Sequence, residues 1–200
     1  LPILFYRSRK DKIERLRVPY EAGVTLDSMA NVGNDHALGM ELSGQFIVNK
    51  WWNLNVNGNV YYYKVVNNIN AGGKEETSTN YDITVNNLLR ICKNTRIQLD
   101  GNFVGPSVTT QGRSDSFWFV NLAIRQQWFG SNLQSTLSFR DIFNSARYKN
   151  DITTPNLESI THIRPKFPVI TLSISYTFNH FKRSSQNSRD NRDLFEGVNH

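Results

Sequence analysis

The chain has 200 residues, a formal net charge of +6, 38% hydrophobic residues and a mean hydropathy of −0.48. This is enough for one domain of ordinary size, but no apolar run approaches the length of a membrane helix. Its single cysteine, Cys92, excludes an internal disulfide and a thiolate metal cluster, while a membrane β-barrel stays open because its strands are apolar on one face only.

The chain begins without an initiating Met or signal peptide, on Leu1-Pro2-Ile3-Leu4-Phe5-Tyr6, which reads as the inside of a strand. It is expected to be the C-terminal part of something longer. Leu1, Ile3 and Phe5 alternate toward one face and lead into a basic hairpin. Arg7, Arg9, Lys10, Lys12, Arg15 and Arg17 crowd there against Asp11 and Glu14. No groove-reading helix or RNA-binding motif follows, so nucleic acid is not the expected partner.

A second, long strand returns from about Leu26, with Gly33 marking a bulge. Its lower part sets Leu38, Met40, Leu42, Phe46 and Val48 against Glu41, Ser43 and Gln45. After a turn at Asn49-Lys50 comes the most regular alternation in the chain. Asn53, Asn55, Asn57 and Asn59 fall on one face; Leu54, Val56, Gly58, Val60 and Tyr62 fall on the other. A period of two is that of a β-strand. Trp51-Trp52 before this run and Tyr61-Tyr62-Tyr63 at its end sit where a bilayer-crossing strand places aromatics, at headgroup level.

Asn67 to Asn80 reads as an exposed polar loop, with Gly72-Gly73-Lys74 as a flexible tip that lacks the rest of a phosphate loop. Tyr81, Ile83, Val85, Leu89 and Ile91 then alternate with Asp82, Thr84, Asn86 and Arg90. Past a turn at Cys92 to Asn94, Ile97, Leu99, Gly101 and Phe103 interleave with Arg96, Gln98, Asp100 and Asn102. Val108 to Asp115 is a second polar loop. Trp118, Val120, Leu122, Ile124 and Trp128 form the next apolar face, followed by the turn Phe129 to Asn132 and a strand bearing Leu133, Leu137 and Phe139. Ser145 to Pro165 is the longest loop. The last strand opposes Ile170, Leu172, Ile174, Tyr176 and Phe178 to Thr171, Ser173, Ser175, Thr177 and Asn179.

Eight antiparallel strands result, with short turns on one side and long polar loops on the other, as in outer-membrane barrels. Aromatics collect near both ends of the strands, at Trp51, Trp52, Trp128, Phe129, Phe178 and Phe181 and at Tyr61, Tyr62, Tyr63, Phe117 and Trp118. A soluble barrel with its apolar side inside would present a face made almost wholly of Asn, Ser, Thr, Gln and Arg, and a β-sandwich does not explain the girdles. The fold class read here is all-β, an antiparallel transmembrane β-barrel. Residues 1–180 form the barrel segment; residues 181–200 form a polar periplasmic tail of disordered composition.

Phe5-Tyr6-Arg7, Asn31-Val32-Gly33, Gly39-Met40-Glu41-Leu42, Lys50-Trp51-Trp52, Gln111-Gly112-Arg113, Arg140-Asp141-Ile142-Phe143-Asn144 and Ser175-Tyr176-Thr177-Phe178-Asn179 resemble the C-terminal barrel of TonB-dependent outer-membrane receptors. The resemblance is closest to the outer-membrane β-barrel family of Bacteroidetes and covers residues 1 to 180 in order. It implies about eight strands of a 22-strand type of barrel, a nutrient ligand, and a plug domain and TonB as partners; none of the N-terminal parts lies in this sequence. A polar tail follows Phe178, where many outer-membrane proteins end on an aromatic.

No residue pattern points to catalysis, a cofactor or a metal site: His36, His162, His180 and His200 are scattered, and no nucleophile-elbow frame occurs. The expected lumen lining is Asn55, Asn57, Gln98 and Asp100, which either contact ligand or simply wet the wall. Arg140-Asp141 reads as a structural feature where the last hairpin opens. Arg9, Lys10, Lys12 and Arg15 are candidates for contact with lipopolysaccharide phosphates or an anionic ligand at the outer leaflet. Two function classes remain: part of an active transporter, or a self-contained eight-strand barrel with a structural or passive role.

Overall fold

The computed structural model describes residues 1–67, 74–166 and 168–178. The loop tip around Gly72-Gly73, the girdle position Phe181, His180, His200 and the tail 181–200 lie outside the described residues.

Eight strands form one antiparallel sheet in chain order: β1 (Pro2–Glu21), β2 (Val24–Asn49), β3 (Trp52–Asn67), β4 (Lys74–Arg90), β5 (Thr95–Val104), β8 (Phe117–Trp128), β9 (Leu133–Arg140) and β12 (Val169–Tyr176). Four short strands form a second sheet: β6 (Ser107–Val108), β7 (Gly112–Ser114), β10 (Tyr148–Thr154) and β11 (Leu157–Ile163). The main sheet is open. β1 and β12 stand at opposite ends of its order and do not pair with each other.

Directly paired residues of antiparallel strands share a face, so the register sorts the side chains without ambiguity. On one face Phe46 meets Leu54, Gly44 meets Val56 and Met40 meets Val60; Val56 in turn meets Val85, which meets Gly101 and then Val120. Leu172 opposite Leu137, and Leu137 opposite Ile124, continue that face to the last strand. Along the last strand it lies open: Leu172 is 63% exposed and Ile174 66%. On the other face polar side chains meet polar side chains. Asp35, Ala37, Tyr63 and Val65, buried at the long-connection end, project from this second face.

Corrections to the sequence reading follow from backbone pairing. Leu1, Ile3 and Phe5 do share one face, and the register makes it the polar one, since Ile3 meets Glu41 and Phe5 meets Gly39, while Leu4 and Tyr6 join the apolar face opposite Met40 and Leu38. The basic stretch Arg7–Arg17 is one arm of β1, not a hairpin; the chain turns at Ala22-Gly23, with Gly23 at φ 78°. The bulge lies where Gly33 marks it, opposite Lys12, with Gly33 at φ 133°. The turn after β2 is Lys50-Trp51, where the Trp51 N–H donates to Asn49 Oδ1 at 3.0 Å.

Residues Glu75 to Asn80 are strand rather than loop, paired residue by residue with Val66 to Tyr61. They need no apolar anchor, because the pairing is backbone pairing reinforced by a Lys64–Glu75 ion pair at 2.8 Å. Within the two other loops, β10 and β11 form a hairpin, and β7 pairs with β10 through Ile152 and Gly112. A Cβ at Gly112 would collide with the Asp151 carbonyl, so the close approach of these strands requires glycine there.

Candidate functional site: the polar wall and the charged cluster above it

Two rows show how the wall is built. Gln45, Asn55, Asn86, Asp100 and Asn121 stand side by side across five strands, and Ser43, Asn57, Thr84 and Asn102 form the row beside them. Hydrogen bonds run along the second row, from Ser43 Oγ to Asn57 Oδ1 (3.0 Å) and from Thr84 Oγ1 to Asn102 Oδ1 (3.1 Å). Gln98 Nε2 donates to Asp100 Oδ2 at 2.8 Å. The structure therefore brings Asn55, Asn57, Gln98 and Asp100 onto one face. Asn59 Oδ1 and Asp100 Oδ1 are buried there with no hydrogen-bond partner among the described residues. The side chains are small and polar, so the wall can hydrate or hydrogen-bond what passes along it.

Toward the long connections the same face closes over a charged cluster. The bulge at Lys10-Asp11, where Asp11 takes φ 53°, shifts the phase of β1 so that Arg9 and Lys12 both reach Asp35. Arg9 Nε donates to Asp35 Oδ1 at 2.9 Å, and Tyr63 Oη donates to Asp35 Oδ2 at 3.0 Å. Lys12 Nζ donates to Tyr63 Oη at 2.7 Å and pairs with Glu14. Thr110 Oγ1 donates to Glu14 Oε2, and Val108 packs on Ala37, Tyr63 and Val65 beneath. Burial pushes the Asp35 carboxyl up, but hydrogen bonds from Arg9 and Tyr63 outweigh it and hold the carboxyl below its ordinary value. Glu14 behaves alike: burial is overcome by Lys12 and Thr110. Burial opposes the charge on Lys12, and Glu14 and Tyr63 together more than restore it, so its pKa lies above the ordinary value.

The four cations expected at the cell surface thus divide. Arg9 and Lys12 are turned to Asp35 and Glu14, and Arg15 joins Arg17 on Asp27 at 2.7 and 2.8 Å. Lys10 is exposed at the bulge, with no ion pair to a described carboxylate. Asp141 is fully buried and makes no pair with Arg140. Its carboxylate instead accepts from the Ser145 N–H and Oγ and from the Ala146 N–H, at 2.9–3.1 Å, shaping the loop that leaves β9. Among the described residues no group of His, Cys, Asp and Glu is arranged to hold a metal.

Asp35 and Thr110 escaped the sequence reading, and Glu14 and Gln111 stood in it without their partners. Asp35 shares the parity of the polar face, but its partners depend on the phase shift at the bulge. Thr110 and Gln111 depend on a loop reaching β1 from far along the sheet.

An antiparallel meander with one bare apolar face about ten residues tall, aromatics at its margins and a polar opposite face is the wall of an outer-membrane β-barrel. The signature of the outer membrane protein beta-barrel family matches residues 3–176, and the chain belongs to that family. Its place is the bacterial outer membrane. No curated protein and no solved structure matches it.

Proposed function

We propose that the chain is the C-terminal part of the barrel of a TonB-dependent outer-membrane receptor that imports a nutrient ligand. The observation that carries this reading is the open sheet. β1 and β12 leave unpaired edges, and in lipid each unsatisfied backbone group costs several kcal/mol. Further strands of a wider barrel satisfy those edges, and a plug domain occupies the polar wall; TonB supplies energy to the plug. The wall binds and conducts and does not catalyse. The motifs from Phe5-Tyr6-Arg7 to Ser175-Tyr176-Thr177-Phe178-Asn179 support the same reading.

The eight strands of the main sheet favour a second reading, a self-contained small barrel. Refolding the chain in detergent separates the two. The receptor reading expects no closed monomer. A monomeric, heat-modifiable, protease-resistant species decides for the small barrel.

Lipopolysaccharide is the proposed lipid partner at the long-connection end. Lys10 carries the contact, together with Arg15, which is 67% exposed despite its bond to Asp27. Lys10→Gln with Arg15→Gln is expected to lower lipopolysaccharide co-purification; unchanged co-purification removes the contact.

A further inference from the structure

Arg90, Arg96 and Arg125 stand directly opposite one another at the short-turn end of the polar wall: Arg90 meets Arg96 on the next strand, and Arg96 meets Arg125 on the one after. Like charges facing each other across strands are destabilising. The row continues into the neutral Thr136 and Ser173, so the sheet offers no relief there. Among the described residues none of the three arginines has an ion pair, whereas Arg9, Lys12, Arg15, Arg17, Lys64 and Lys149 each have a carboxylate. Asp100 lies on the same face of β5, but Gln98 stands between it and Arg96 and donates its amide to Asp100.

The surface around the row is shallow. Leu88, Arg96, Gln98, Ala123, Arg125 and Thr136 line a cleft of about 160 Å³, less than the ~300–1,000 Å³ concavities that enclose small ligands. Strands ~4.8 Å apart spread the three guanidinium groups over roughly 10 Å, and each presents a fork suited to a carboxylate. A flat row of unpaired cations fits an extended acidic surface better than a lone anion.

We propose that Arg90, Arg96 and Arg125 form a docking row for an acidic polypeptide segment lying against the polar wall at its short-turn end. The inference rests on the receptor reading, because only the wall of a wide barrel leaves room for a segment. Its test uses the protein as it stands in the outer membrane, with a photo-crosslinking side chain in place of Gln98. The captured peptide is expected to carry at least two Asp or Glu. Raising salt from 0.15 to 1 M, which shortens the screening length from about 8 to about 3 Å, is expected to reduce capture. Arg90→Gln, Arg96→Gln and Arg125→Gln together are expected to lower it about tenfold, with membrane level and protease resistance retained because a like-charge row has been removed. Capture of a segment without acidic residues, capture indifferent to both salt and the triple substitution, or capture of lipopolysaccharide and no polypeptide would each overturn the proposal. Where the triple variant fails to reach the membrane, the salt series on the unsubstituted arginines decides. A closed monomer in the refolding experiment removes the receptor reading and this row's role with it; an unclosed chain that captures no acidic segment removes this inference alone.

Discussion

Gln111 and Arg17, 94 positions apart in the chain, exchange two hydrogen bonds. The Arg17 N–H donates to Gln111 Oε1 at 2.8 Å, and Gln111 Nε2 donates to the Arg17 carbonyl at 3.0 Å. A side-chain amide thereby does for β1 what a neighbouring strand would do, covering one pair of backbone groups on the edge of the sheet. The contact also ties the loop after β5 to the first strand, and Thr110 reinforces it through Glu14.

Gln111→Ala is expected to cost about 1–2 kcal/mol locally, since two hydrogen bonds are lost and the edge groups return to water. Amide exchange at Arg17 is expected to rise about tenfold while exchange at Leu99 stays as it was. Equal change at both sites would mean that the contact stabilises the whole sheet rather than its edge.

The two faces differ most sharply at adjacent residues of β12. Leu172→Arg is expected to destabilise the membrane-embedded chain by ~2–4 kcal/mol, as arginine does at the bilayer midplane of a lipid face, and Ser173→Arg by much less. Urea titration in lipid vesicles measures both. Similar losses at the two positions would contradict the assigned faces.

Asp35 is 1% exposed and holds two cations and a phenol hydroxyl. Asp35→Asn is expected to cost about 2–3 kcal/mol, because Arg9 and Lys12 lose a charged acceptor, and Tyr63→Phe about 1 kcal/mol. Loss of protection at Ala37 and Val65, read by hydrogen exchange, locates the effect.

The same cluster sets a pH dependence. Asp35 and Glu14 titrate below their unfolded values near 4, so their contribution is present above pH ~4–5 and fades as pH falls through the folded values. Lys12 titrates above its unfolded value near 10.4, so its contribution is present below that pH and is lost as pH rises through the folded value. Exchange protection at Val65, corrected for intrinsic rate, is expected to be flat from pH 5 to pH 10 and to fall first on the acid side. A maximum inside that window would point to a histidine in place of these groups.

The membrane-crossing part of the fold was legible because lipid enforces a strict period of two. Leu54 to Tyr62 and Ile170 to Tyr176 could be sorted from sequence, and the register sorts them the same way. Above the membrane that constraint ends. Glu75 to Asn80 and Tyr148 to Thr154 pair as strands without alternating hydrophobicity, so they read as loop. The shared face of Leu1, Ile3 and Phe5 was visible but not that it is the polar wall, which becomes partly apolar near Tyr61 and Val65, where Phe5 packs. The parity of Arg90 and Arg96 was visible, but the alignment of both with Arg125 required the register. The Gln111–Arg17 contact joins positions 94 residues apart, which no local pattern marks.

The central claim, that this sheet crosses the outer membrane with its apolar face in lipid, is tested most directly by cysteine accessibility along β3. With Cys92→Ser as background, single substitutions Leu54→Cys, Asn55→Cys, Val56→Cys and Asn57→Cys are probed in intact outer membranes with a small water-soluble maleimide. The expected pattern alternates: labelling at 55 and 57, protection at 54 and 56, and the protected pair reached only by a lipid-soluble reagent. Uniform labelling at all four positions, or protection at 55 and 57 with labelling at 54 and 56, would contradict it.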